Sequence, residues 1–342
     1  MSSTTQQPDV SRNDTPVNDF HGSRFMAKES TTSSILSIGQ LSNGLHPFVE
    51  KHRFYPYTDD KGIEREIEFE VIDQSCRMVS VVLTSGLLDP FFKAILLPKD
   101  FYQDPTDQQK WAVEYDDHLP KTAHGEDKEY IRTILDLAAR NMIWCILPST
   151  ADNGATTHQT GEADVVLPEC PYSYKSIVTI SHKTYDALVA AHRKGDDIPL
   201  LLTLRFEFAV MLLHEIGHVA HKFAFGKLDQ EPCFNGKGVA EIGYELENFL
   251  FAGHLTRMYT HFDPSGEDTL LLHKHDGEKS ALAGLIVVWE YPYRGLIEEY
   301  RRDGMELEVG GAGGRATTKI RDLDVAWRVS VTFLRHFFRD DF

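Results

Sequence analysis

The feature that most constrains this chain is the run from about Pro199 to Ala224, which reads as a long helix with almost no polar surface. From Phe208 to Ala220 the only charged residue is Glu215, and Ala209, Leu212, Leu213, Ile216, Val219 and Ala220 wrap the helix in apolar side chains nearly all round. Such a helix is not stable facing water, so other elements must enclose it and the fold must be organised about it. The chain has the material for this. Its 342 residues suffice for one large domain or two ordinary ones, and 42% hydrophobic with 25% charged residues is an ordinary globular composition. Within the enclosed stretch His214, Glu215, Ile216, Gly217 and His218 spell HEIGH, an instance of HExxH. Two imidazoles and a carboxylate in an apolar wall require partners, because an unpaired buried charge is costly.

The spacing says which partner suits them. At about 100° per residue, His214 and His218 stand about 40° apart around the axis and about 6 Å apart along it, so both imidazoles can converge on one ion. Glu215 is turned by about 100° and lies beside such an ion, in reach of a water without taking a coordination position. The alternative is a pair of satisfied core histidines with an incidental glutamate, and chance alone gives the spacing in roughly one such sequence in twenty. His221 returns to the same face about 10.5 Å along the axis from His214, too far to share an ion whose bonds to nitrogen are about 2.0–2.1 Å. It reads as a pocket-lining residue or a support for a ligand.

These residues resemble the active-site helix of the zincin metallopeptidases, which carries HExxH with small or apolar residues at the two middle positions. The resemblance implies a third protein ligand, since a catalytic zinc keeps three and leaves a fourth position open. A second helix is expected from Val239 to about Tyr259, with Glu241, Glu245 and Asn248 at i, i+4 and i+7 among Ile242, Leu246, Phe249, Leu250 and Phe251. HExxH on one helix and a glutamate on the next is similar to the gluzincin branch. That likeness implies Glu241 as third ligand and Glu245 as the acceptor that orients His214 or His218. A solvated acidic face is the alternative reading of the stripe. The metzincin pattern is absent, because His221 stands where a glycine belongs and Ala224 where the third histidine belongs. The stretch Glu241 to Gly253 is also similar to uncharacterised HExxH proteins of filamentous fungi. The zincin resemblance covers about 45 residues, which fixes a site and not a substrate.

What the resemblance implies is a zinc-dependent hydrolase, foremost a metallopeptidase, with one Zn2+ per chain and Glu215 as general base toward water and proton donor to a leaving nitrogen. Tyr291, Tyr293, Arg294 and His254 are candidates for stabilising the developing oxyanion. The strand Ser176 to Ser181 precedes the active-site helix as the zincin edge strand does, so an extended peptide is expected to pair along it. Two other readings stay open. One keeps the zinc and takes a small-molecule substrate; the other is a non-catalytic metal-binding scaffold, against which Glu215 counts because a structural zinc has no use for a base.

The expected fold class is α+β: a disordered tail over 1–34, an N-terminal α+β region over 35–150, and a zincin-like region with a mixed sheet over 151–342. Ile67, Phe69 and Val71 alternate with Glu66, Glu68 and Glu70 as in a half-buried strand, and Met78 to Leu83 reads as a buried one. A helix is expected over Glu126 to Arg140, a strand over Met142 to Leu147, and a loop marking a boundary over Ser149 to Glu162. A strand over Ser176 to Ser181 and a helix over Lys183 to Arg193 follow. Gly226 is expected to cap the long helix, and the glycine-rich 309–314 to be a surface loop. A net charge of −17, from 52 acidic and 35 basic residues, argues against nucleic acid or anionic lipid as partner. The longest apolar run, Ala281 to Trp289, falls short of the about 20 residues a bilayer span needs. The first residues lack the basic and apolar parts of a secretory signal, so a cytoplasmic location is expected. Four cysteines without a CxxC pair read as buried thiols.

Overall fold

The computed structural model describes residues 40–58, 62–96, 101–103, 111–113, 125–147, 155–163, 174–225, 231, 233–234, 241–262, 268–271, 279–289, 326–329 and 338. The expected tail over 1–34, the cap at Gly226, the glycine-rich loop over 309–314, and Tyr291, Tyr293 and Arg294 lie outside the described residues. In chain order the elements are β1 (Phe54–Tyr55), β2 (Tyr57–Thr58), β3 (Glu64–Arg65), α1 (Phe69–Thr84), α2 (Asp89–Leu96), β4 (Phe101–Gln103), β5 (Trp111–Val113), α3 (Gly125–Arg140), β6 (Met142–Leu147), β7 (Ala155–Glu162), β8 (Tyr174–Ser181), α4 (His182–Lys194), α5 (Ile198–Phe225), β9 (Cys233–Phe234), α6 (Ile242–Phe251), β10 (His254–Phe262), β11 (Asp268–Leu271), β12 (Lys279–Trp289) and β13 (Ala326–Val329).

The protein is α+β, and α5 is its axis. Asp197 starts it, accepting the Leu200 amide on its Oδ1 at 3.0 Å, and Pro199 fits the first turn because its missing N–H is not needed there. Over 28 residues α5 runs for about 42 Å, packed against α1, α3, α4, α6 and the strands β7 and β8. After its first turn it is buried all round except along Glu207, Met211, His214, His218, Lys222 and Phe225, which recur every three or four residues and form one stripe. Both histidines of the motif stand on that stripe.

A four-stranded mixed sheet lies beside α5 in the order β1-β6-β8-β7. The pairs β1–β6 and β6–β8 are parallel, whereas β7 runs antiparallel to β8 and is the outermost strand among the described residues. The sheet draws strands from both sides of residue 150. The strand expected over Ser176 to Ser181 is present as β8, but it is an interior strand and not an edge; the edge is β7. The segment of β7 was expected to be loop, and its Gly/Thr-rich composition hides a strand in which Thr157 is buried between exposed Thr156 and His158. A second sheet, β11-β10-β12-β13, is antiparallel throughout.

Two more expectations are corrected. Residues 67–71 and 78–83 are not strands; from Phe69 they form the single helix α1. Its buried Val71, Ile72, Ser75, Cys76, Met78, Val79, Val82 and Leu83 recur at helical spacing, and Ser75 Oγ donates to the Arg205 carbonyl of α5 at 2.8 Å. Packing against α5 thus overrides the strand preference of three valines. The helix expected from Val239 to Tyr259 is shorter: α6 ends at Ala252, which takes a left-handed φ of 59°, and the chain continues as β10. Helices α3, α4 and α5 and strand β6 stand where expected. Among the described residues no single helix is long and apolar enough to cross a bilayer.

Candidate metal centre

The centre forms where α5 meets the N-terminus of α6. The two helices approach closely because Gly217, the second middle residue of the motif, carries no side chain. A Cβ there would stand 3.1 Å from Ile242 Cγ2 and 3.4 Å from Leu246 Cδ1. Gly243 does the same service for a ligand candidate: a Cβ on it would lie 2.3 Å from His214 Nε2 and Cδ2, so the His214 imidazole rests on bare backbone.

Glu241 is not inside the helix but is its N-cap, in extended conformation at φ −150° and ψ 106°. Its Oε2 accepts the Tyr244 amide. Its Oε1 faces His218 Nε2 at 2.6 Å and His214 Nε2 at 3.3 Å. One oxygen therefore satisfies an orphan amide of α6, and the other faces both imidazoles. His214, His218 and Glu241 each bring a ligand atom within 4.8 Å of the others, and the three can hold a metal ion.

The far side of each ring is also held. His214 Nδ1 pairs with Glu247 Oε1 at 2.8 Å and His218 Nδ1 with Glu231 Oε1 at 2.5 Å. Glu231 uses its other oxygen to accept the Ile242 amide at 2.8 Å, so it too caps α6. Glu247 Oε2 meets His254 Nδ1 at 2.8 Å and the Leu255 amide at 2.9 Å, joining the centre to the start of β10. With both Nδ1 atoms engaged by carboxylates, Nε2 is the nitrogen each histidine presents to the centre.

The donor chemistry fits zinc: two imidazole nitrogens and a carboxylate oxygen, with carboxylates behind both rings. Glu231, Glu241 and Glu247 bring three acidic groups to His214, His218 and His254, and with the rings neutral a divalent cation would offset part of that negative charge. The same carboxylates govern how the rings titrate in the absence of an ion. Burial opposes protonation of His218, but the charges of Glu231 and Glu241 and their hydrogen bonds outweigh it and push the ring up to about 10. His214 is raised in the same way by Glu241 and Glu247. Glu241 is held well below the usual carboxylate range, the two histidine charges outweighing its burial.

Glu215 meets strand β7. It is buried, and its Oε2 accepts a hydrogen bond of 2.5 Å from Thr157 Oγ1 on β7. Glu245, expected to orient a histidine, is fully buried in α6, but the acceptors on the two Nδ1 atoms are Glu247 and Glu231. The cause is helical phase. Glu241 lies outside the helix in extended backbone, so counting four residues on from it does not find the residue that returns to His214. His221 is buried with its ring 5.2 Å from that of Phe225, and burial lowers it to about 4. His254 sits behind Glu247, with its ring 4.4 Å from Tyr244.

Glu231 has no periodic context that would single it out in the sequence. Glu247 had a signal, since it lies in a helix of apolar residues where a charge needs a partner. No family model, curated protein or solved structure matches this chain.

Proposed function

We propose that this protein is a zinc-dependent hydrolase, and specifically a metallopeptidase, with His214, His218 and Glu241 as ligands of one Zn2+ and Glu215 as general base. The observation that supports the reading is the convergence of both Nε2 atoms and one Glu241 oxygen, and Glu215 directly follows His214 on the same helix. A purely structural zinc has no use for that carboxylate. When bound, zinc supplies a Lewis acid that acidifies a water and polarises a carbonyl. Glu215 takes a proton as the water oxygen bonds to the carbonyl carbon. It gives that proton to the amide nitrogen as the C–N bond breaks, leaving a free amine and a carboxylic acid for one water consumed.

The edge strand supports a peptide over a small molecule. Thr156, His158, Gln159 and Thr160 of β7 are exposed, and β7 has no partner on its outer side among the described residues. An extended chain added there would run beside Thr157, whose hydroxyl touches Glu215. The test is cleavage of a mixed peptide library by zinc-loaded protein, read by mass spectrometry. Wild type should cut, and Glu215→Gln with the same zinc content should be slower by about 10²- to 10⁴-fold, the usual contribution of an acid–base group. Equal cleavage by both contradicts the assignment of Glu215. Failure of zinc-loaded wild type to cut any peptide removes the peptidase reading.

A further inference from the structure

We propose that Thr157 is the positioning residue of Glu215: its hydroxyl fixes the carboxylate and ties the base to the edge strand. The inference rests on the hydrolase reading above. A glutamate side chain has three rotatable torsions, and proton transfer demands that one oxygen be held within hydrogen-bond reach of the water. Thr157 Oγ1 donates to Glu215 Oε2 at 2.5 Å, the hydroxyl supplying the hydrogen and the carboxyl oxygen accepting it. The contact is at the short end of the O–H···O range. It leaves Oε1 as the oxygen to accept the proton of the water.

The threonine is itself held. Its β-branched side chain is restricted at χ1, it is buried at 7% exposure while its neighbours Thr156 and His158 are exposed, and its carbonyl accepts from Lys222 Nζ at 2.9 Å. Glu215 and Lys222 are seven residues apart, two turns along one side of α5. The helix thus grips a single residue of β7 twice, by hydroxyl and by carbonyl. The register of the edge strand against the base is set at Thr157. A peptide paired along β7 takes its position relative to Glu215 from this residue.

The test uses the full chain loaded with zinc and a peptide that wild type cleaves. Thr157→Val keeps the shape and removes the donor; Thr157→Ser keeps the donor. Thr157→Val should lose about 10- to 100-fold in kcat with KM and zinc content near wild type, and Thr157→Ser should restore most of it. A second readout needs no turnover. The infrared carboxylate stretch of Glu215, assigned as the band lost in Glu215→Gln, should shift in Thr157→Val and not in Thr157→Ser. If Thr157→Val does not fold, Thr157→Ala makes the same comparison. Wild-type kcat in a folded variant lacking the hydroxyl, an unmoved carboxylate band, or a Ser variant as impaired as the Val variant would each overturn the proposal. If wild type cleaves no peptide, the peptidase reading falls, and the infrared shift alone decides whether Thr157 holds Glu215.

Discussion

Gly243 carries the sharpest consequence at the scale of single residues. With a Cβ placed 2.3 Å from the His214 ring, Gly243→Ala forces the imidazole off its seat. Overpacking of this kind costs about 1–3 kcal/mol, and at about 1.4 kcal/mol per factor of ten zinc affinity should fall by about 10- to 100-fold. Competition against a chromogenic chelator measures it, and an unchanged affinity would mean that His214 does not need this seat. Glu247→Gln and Glu231→Gln should each weaken zinc by about 10- to 100-fold, because each removes the acceptor behind a ligand ring. Glu245→Gln should leave the affinity close to wild type, and the reverse ranking would return Glu245 to the role first read for it. That His214 and His218 share one face was legible because HExxH is a local pattern on one helix. The carboxylates behind them were less so: Glu231 arrives from a separate segment, and Glu247, though its charge among apolar residues called for a partner, is matched to His214 only once the true start of α6 is known.

Among the elements, α6 shows how binding and folding are joined. Its first amides are capped by Glu231 and Glu241, whose other oxygens face the histidines. Glu241→Ala should therefore lose zinc and also destabilise the chelator-treated protein by about 1 kcal/mol, the usual worth of an N-cap. Glu241→Asn should recover that stability, since Asn caps well, without recovering zinc. If the two variants melt alike in chelator, the cap has no independent weight. The long periodic elements α3, α4 and α5 were readable from the sequence. Those that failed share a cause: α1, β7 and the stretch after α6 take their form from what packs on them. Valines that favour a strand in isolation fill a helix against α5, and a polar segment becomes a strand because β8 offers it a ladder.

For the whole molecule, buried titratable groups set a pH window in protein kept free of metal by chelator. Burial holds His221 at about 4 against an ordinary 6.5, so the unfolded chain binds a proton over that interval that the folded chain does not. Stability should fall as pH drops from 6.5 to 4, by up to about 1.4 kcal/mol per pH unit. His218 acts in the opposite sense. Raised to about 10, it contributes fully below 6.5 and loses that contribution as pH rises through about 10. Glu247 is held at about 2, because His254 and His214 outweigh its burial, so its contribution persists above 4.5 and is lost only in strong acid. Urea midpoints across this range should peak near the ordinary histidine value, His221→Gln should flatten the acid arm, and zinc should flatten the alkaline arm because ligation requires neutral imidazoles. An acid arm unchanged in His221→Gln would contradict the assignment.

The proposed centre is one ion in one place, and anomalous scattering at the zinc edge from crystals grown with Zn2+ locates it. The expected result is a single strong peak per chain, bonded to His214 Nε2, His218 Nε2 and Glu241 Oε1 at about 2.0–2.2 Å, with Glu215 outside bonding distance. A peak on other residues, or none at saturating zinc in a folded crystal, would contradict it.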